Sequence, residues 1–385
     1  MNRGALALVL LISWGCSSEP ARADSCTVKH LDLVHQPHNS KELEALEEGI
    51  RHRHGVYMAT LSLGTPAQNF DAIVDTGSAN LVVMGPDCQG CSSVAYRPNA
   101  SSSADESSSA FEVTYGSASL GAKRVTDLAG LPCGDSVQTE FGLATQVSHL
   151  PASILGLGYP SLASPANAPV KPWFDAMVEA GVLEDIFSLR LCGPGRSGSH
   201  IKLGGIDASI QPSELSYTSI VQQSFYVISP PEIALQDDKL GDGDATTIVD
   251  SGTTLMLVPA AVHQALVSRL QAAADAAGFG SKIPQGVWTT SATDISARAT
   301  LSPSEIAQLP ALMVRLRTQS GDGFFAVKVP PQRYFRRTSS GGVYLGVRPN
   351  QGMTILGQVF MEEHDVVFDR ANKRIGFATA PQCGD

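Results

Sequence analysis

The chain has 385 residues and 43% hydrophobic content, enough to bury two sizeable cores at roughly 100–200 residues per domain. Its aromatic share is only 6%, while 36 Gly and 23 Pro favour many strands and turns over a helical bundle. A net charge of −10 excludes nucleic acid as the main partner.

The first element is an export signal over residues 1–23. Arg3 supplies the positive charge and "ALALVLLISW" (5–14) the apolar region, too short for a permanent membrane span. Two cleavage readings stand side by side: the A-x-A site "ARA" (21–23) before Asp24, and a lipoprotein-type cut before Cys16, which would leave a lipid anchor there. No later segment reaches 18 uninterrupted apolar residues, so no transmembrane helix is expected after the signal. Residues 24–54 form a polar segment holding five of the nine histidines. It includes a predicted short helix, "SKELEALEEGI", with Ser40 as N-cap.

From Val56 onward short strand-like runs alternate with turn signals: "VYMATLSLG", "FDAIVDTG", "NLVVMG", "AFEVTYGS". The run "SSSADESSS" (101–109) reads as a solvated loop. Helical patterns are confined to 172–181, 259–278 and 302–310. The second opens on Pro, closes on Gly and carries Val262, Leu266 and Leu270 as a core-facing stripe. Glu362, Glu363 and His364 read as surface.

One phrase occurs twice. "AIVDTGSANLVV" (72–83) is answered by "TIVDSGTTLMLV" (247–258), and each copy is followed by an Ile-Leu-Gly run, "SILGLG" (153–158) and "TILGQV" (354–359). The chain therefore divides into two related β lobes, residues 55–210 and 211–385, joined around 206–216. An Asp on a tight Gly turn after an apolar strand is held rigidly at a lobe surface. Two such lobes face to face bring Asp75 and Asp250 together, and two carboxylates so placed share one proton. One then acts as base and the other as acid near a single pH, enough to activate a water against a carbonyl. That chemistry calls for no cofactor and no metal.

Six cysteines follow the signal: Cys26, Cys88, Cys91, Cys133, Cys192 and Cys383. An even set in an exported chain points to disulfides, with half a zinc site or a redox motif as alternatives for Cys88-x-x-Cys91. Asn99-Ala100-Ser101 is a glycosylation acceptor in a host that glycosylates. The clustered histidines read as a solvated tail rather than a metal or pH-sensing site.

With two D-[TS]-G-[ST] motifs, the chain resembles the pepsin-like aspartic peptidases from about Val56 to Phe377. "PWFDAMVEAGVLEDIFSLRLCG", "IKLGGID", "VPPQRYF" and "DVVFDRANKRIGFA" are most similar to the β-secretase branch. The resemblance implies a mostly β, bilobal fold with a cleft between the lobes, and an endopeptidase acting on polypeptides with apolar residues around the cut. It implies Asp75 and Asp250 as the catalytic pair, Thr76 and Ser251 as cross-braces, and Ser78 and Thr253 as supports of the outer carboxylate oxygens. Gly77 and Gly252 would leave room for substrate backbone. Tyr115, Gly116 and Ser117 would form the flap over substrate, with Val82, Leu120 and Thr254 beside it. Gly156 and Gly357 would lie in strands behind the aspartate loops. Cys88–Cys91 resembles a small family disulfide, leaving three pairings for Cys26, Cys133, Cys192 and Cys383.

The likeness has gaps. Val82 stands where most such enzymes have a tryptophan that bonds the flap tyrosine, and no tryptophan lies in this flap. Ala118 replaces a usual flap glycine. Members of the β-secretase branch run on into a transmembrane helix beyond the point matching Asp385. "TVKHLDLVH" (27–35) alternates like a strand of the sheet joining the lobes. The expectation is thus a monomer without a long inhibitory prosegment, any latency resting on His52 and His54. The rival reading is a non-catalytic relative that binds peptides or proteins in its cleft.

Overall fold

A computed structural model describes residues 29–36, 55–115, 118–132, 135–288, 297–338, 341–380 and 383–384. The helix expected within 40–50, the histidines at 52 and 54, and Cys16, Cys26, Cys133, Gly116 and Ser117 lie outside the described residues.

The amino-terminal lobe is one eight-stranded sheet. Its strands are β2 (Val34–Gln36), β3 (Val56–Leu63), β4 (Gln68–Asp75), β5 (Leu81–Gln89), β6 (Asp105–Tyr115), β7 (Ala118–Gly130), β8 (Ser136–Ser148) and β9 (Ser153–Gly156). β1 (Lys29–Asp32) belongs instead to an eleven-stranded sheet, pairing antiparallel with His200–Leu203. Residues 29–36 thus contribute a strand to each sheet, where the alternation of 27–35 predicts a single strand. Next in order beyond His200–Leu203 come Ile186–Arg190, His364–Asp369, Arg374–Thr379 and Ser216–Gln223. His364–Asp369 is buried throughout. It pairs on either side with Ile186–Arg190 and Arg374–Thr379.

The duplicated phrases fold into duplicated topology. β4 runs parallel to β9, with Ile73 opposite Ile154 and Asp75 opposite Gly156. β5 then returns antiparallel on β9. In the second lobe Thr247–Val249 runs parallel to Thr354–Leu356, and Met256–Pro259 returns antiparallel on the same strand. Each aspartate therefore leaves a central strand at a point where the chain must turn away. Such strands, buried on both faces, require the unbroken apolar approach seen in "AIVD" and "TIVD".

The long helix Ala260–Ala276 follows Pro259, whose ring pre-sets the first turn, and ends before Gly278 at φ +82°. Val262, Leu266, Leu270 and Ala274 are buried along one side, contributing about 1.5–3 kcal/mol per large apolar side chain. The shorter helix Pro303–Ile306 carries a reciprocal capping box between Ser302 and Glu305.

Two expectations are corrected. Within the serine-rich run the chain is already extended from Asp105, paired with Thr126. The pairing shifts between Glu106 and Ala110, so its exposed serines form an irregular edge rather than a loop. Glu362 and His364 are buried, not surface residues. Glu362 accepts hydrogen bonds from Tyr57 Oη and Arg336 Nη1, both at 3.0 Å, and so ties β3 to the second lobe. A buried carboxylate is tolerated because its cations are buried with it. Local sequence cannot register partners 305 and 26 positions away.

Candidate active site

Asp75 ends β4, and Asp250 directly follows the strand Thr247–Val249. Each carboxylate is held identically by its own loop. Gly77 N–H donates to Asp75 Oδ1 at 2.9 Å, and Ser78 Oγ donates to Asp75 Oδ2 at 2.5 Å. Gly252 N–H donates to Asp250 Oδ1 at 2.9 Å, and Thr253 Oγ1 donates to Asp250 Oδ2 at 2.5 Å. These bonds fix the orientation of each carboxylate.

The loops are then locked to one another. Thr76 Oγ1 donates to Val249 O at 3.1 Å while accepting from Ser251 N–H at 2.9 Å. Ser251 Oγ donates to Val74 O at 2.7 Å and accepts from Thr76 N–H at 3.1 Å. Thr76 and Ser251 are both buried, so each hydroxyl satisfies a donor and an acceptor of the opposite lobe that water cannot reach.

A Cβ placed on Gly77 would stand 2.6 Å from Asp250 Cγ, and one on Gly252 would stand 2.6 Å from Asp75 Cγ. Their missing side chains make room for the opposing carboxylate. Gly156 plays a similar part behind the first loop, where a Cβ would meet Ala79 and Asn80 backbone at 2.5 and 2.6 Å. At Gly357 it would collide with the carbonyl oxygens of Thr253 and Leu255.

Burial first, and the charge of Asp250 second, together raise the Asp75 carboxyl to about 7 against the opposing pull of the Ser78 and Gly77 hydrogen bonds. Two carboxyls in this relation hold a proton between them as a unit.

The residues expected around the flap are placed less uniformly. Tyr115 and Ala118 are the last paired positions of the β6–β7 hairpin. Val82 and Leu120 are 0% and 3% exposed, packed with Met84, Phe111 and Val113 in the apolar cluster beneath that hairpin. Both side chains are spent on that packing, Val82 from β5 and Leu120 from the hairpin itself. Thr254 Oγ1 donates to Gly55 O at 3.5 Å, beside the start of β3. Among the described residues no group of three or more His, Cys, Asp or Glu is arranged to hold a metal ion. Nor is any helix among them long and apolar enough to cross a membrane.

A profile described as eukaryotic aspartyl protease matches residues 56–380. The chain belongs to that family. It is 28% identical over 374 residues to a beta-secretase from Strongylocentrotus purpuratus, covering 87% of this chain and 68% of the relative. It is 30% identical over 343 residues to pepsin A from Sus scrofa, covering 84% and 80%. Pepsin A from Bos taurus is 29% identical over 338 residues. Membership assigns peptidase chemistry in general to the fold, with polypeptides as the substrate class.

Cys88 and Cys91 form a disulfide, as do Cys192 and Cys383. The second pairing joins residues 191 positions apart, clamping the end of the chain to the central sheet, and resolves one of the open choices. Two supporting residues escaped sequence reasoning. Asn80 makes a two-way amide bond with the backbone of Ser164, at 3.0 and 2.8 Å. Gln358, fully buried, donates from Nε2 to Ser251 O at 2.9 Å. The only available signals were their positions: Asn80 two after Ser78, Gln358 directly after the second Ile-Leu-Gly.

Proposed function

We propose that the protein is an exported aspartic endopeptidase that cleaves polypeptides with a water activated between Asp75 and Asp250. The observation that carries this reading is the matching support of both carboxylates by hydroxyl and amide donors, with the Asp75 carboxyl raised to about 7 by burial and the charge of Asp250. The ionised carboxylate takes a proton from the water, and the protonated one donates to the substrate carbonyl oxygen. The tetrahedral species collapses as the leaving amine is protonated, with no covalent enzyme intermediate. Both aspartates come from one chain, so one copy is sufficient. Substrate would lie extended under the β6–β7 hairpin, with apolar side chains flanking the cut. Two disulfides favour an oxidising, exported location.

Asp75→Asn and Asp250→Asn should each lower kcat on an unfolded protein such as casein by at least about 10³-fold, the upper part of the range for acid–base groups. Circular dichroism should be unchanged. A statine-type inhibitor, resembling the tetrahedral species, should bind the wild type tightly. Undiminished turnover in either variant would remove the two aspartates as the source of hydrolysis, and a wild type without turnover would leave the fold as a peptide-binding cleft.

A further inference from the structure

The bonds that each loop makes to its own carboxylate match in the two halves of the site, but a side-chain amide backs the peptide beside Asp250. Gln358 Nε2–H donates to the carbonyl oxygen of Ser251. The same peptide unit presents its N–H, that of Gly252, to Asp250 Oδ1 at 2.9 Å. The three groups form one chain: amide, peptide, carboxylate. A donor on the carbonyl polarises the peptide and strengthens the bond its N–H makes. In the first lobe the corresponding peptide joins Thr76 to Gly77, whose N–H meets Asp75 Oδ1 at 2.9 Å. The position answering Gln358 there is Leu157, which has no side-chain donor.

The orientation of the Gln358 amide is not arbitrary. Its Oε1 is buried and has no hydrogen-bond partner among the described residues. Exchanging nitrogen and oxygen would set that oxygen against the Ser251 carbonyl and leave the nitrogen unpaired. A buried amide with one end unsatisfied is a local cost, and a leucine like Leu157 would avoid it.

We infer that Gln358 is a positioning residue that makes the dyad unequal, polarising the Ser251–Gly252 peptide so that negative charge is favoured on Asp250 and the shared proton on Asp75. The inference deepens the peptidase reading and rests on it for its kinetic arm. The short helix Gln358–Met361 packs against Pro331–Tyr334, Met256–Pro259, Thr354–Leu356 and His364–Asp369. The titratable and charged groups on these elements and at its end are accounted for. Arg333 and Arg336 face Glu362, as does Tyr57, while Tyr334 Oη donates to Pro310 O. His364 bonds Glu362 O, Asp365 pairs with Arg190, and Asp369 with Arg374. Glu363 pairs with Arg196 and Arg333, and Asp250 is the acid that Gln358 reaches, through the Ser251–Gly252 peptide.

The test compares wild type with Gln358→Met, nearly isosteric but without a donor, and Gln358→Glu, which can donate only while protonated. Two readouts are taken: the pH profile of kcat/KM on a peptide substrate, and the titration of the dyad carboxyls by 13C NMR. Gln358→Met should move the acidic limb of the profile upward by about half a pH unit or more and lower kcat several-fold with KM little changed, since the singly ionised pair loses support. Gln358→Glu should keep near wild-type activity at the acid end and lose it as the introduced carboxyl ionises. An acidic limb within 0.2 pH units of wild type in Gln358→Met, with kcat within twofold, overturns the inference. If Gln358→Met fails to fold, equal loss at all pH values in Gln358→Glu overturns it instead. A wild type that hydrolyses nothing sinks the peptidase reading, and the NMR titration of the same variants still decides this one.

Discussion

Gly252→Ala is a one-methyl perturbation whose consequence can be worked from the geometry. The added Cβ would stand 2.6 Å from Asp75 Cγ, with Asp75 Oδ1 closer still. Carbon atoms settle at about 3.5–4.0 Å, so the Asp75 carboxylate or the Gly252 loop has to retreat by roughly 1 Å. Neither can do so freely. Asp75 is pinned by Gly77 N–H and Ser78 Oγ, and the second loop is locked through Ser251 to Val74. Displacement of that size at reacting groups costs about 10²-fold in rate, equivalent to about 2.7 kcal/mol of barrier. Overpacking of this kind costs about 1–3 kcal/mol of stability, so the protein should still fold. The assay is steady-state hydrolysis of an internally quenched peptide, with thermal unfolding followed in parallel. Gly323→Ala is the control, because a Cβ there meets nothing within 4 Å. A Gly252→Ala enzyme with kcat within about threefold of wild type would refute the claim that the glycine exists to admit the opposing carboxylate.

Two further outcomes are expected. Ser251→Ala removes one bond to Val74 O and one from Thr76 N–H, both buried, and should destabilise the fold by about 2–4 kcal/mol in urea titrations with an unchanged slope, while Ser251→Thr should recover most of it. The raised carboxyl of Asp75 favours the protonated form in the folded state, so its contribution is most favourable below about pH 4, the unfolded value, and is lost as pH climbs through about 7. Thermal stability should therefore fall across that window by an amount on the order of a few kcal/mol, and Asp75→Asn should flatten the slope. An unaltered slope in that variant would remove Asp75 as its source.

The legible features were those a local pattern can carry. Apolar approaches, Gly turns and the repeat of "IVD" with a following Ile-Leu-Gly were enough to place both aspartates and the two-lobed β architecture, while the roles of their hydroxyl supports came from the resemblance to the pepsin-like family. Each of these is written within a few residues, and duplication made the faint signal strong by stating it twice. The helix Ala260–Ala276 was legible for the same reason, from its Pro, its Gly and its apolar stripe. Polarity misled where burial is decided at long range. Glu362 looks like a surface glutamate because its partners Tyr57 and Arg336 arrive from distant strands, and the serines after Asp105 look like a loop because their pairing depends on a neighbouring strand. The same holds for Gly77 and Gly252: sequence marks a glycine, but only the packing of one lobe on the other shows that an aspartate fills the space. Tertiary structure alone also decided that Cys192 meets Cys383 and that Gln358 backs one carboxylate and not the other. Contacts between residues 107 to 305 positions apart leave no periodic trace, because the chain pays no local cost or gain until both partners are in place.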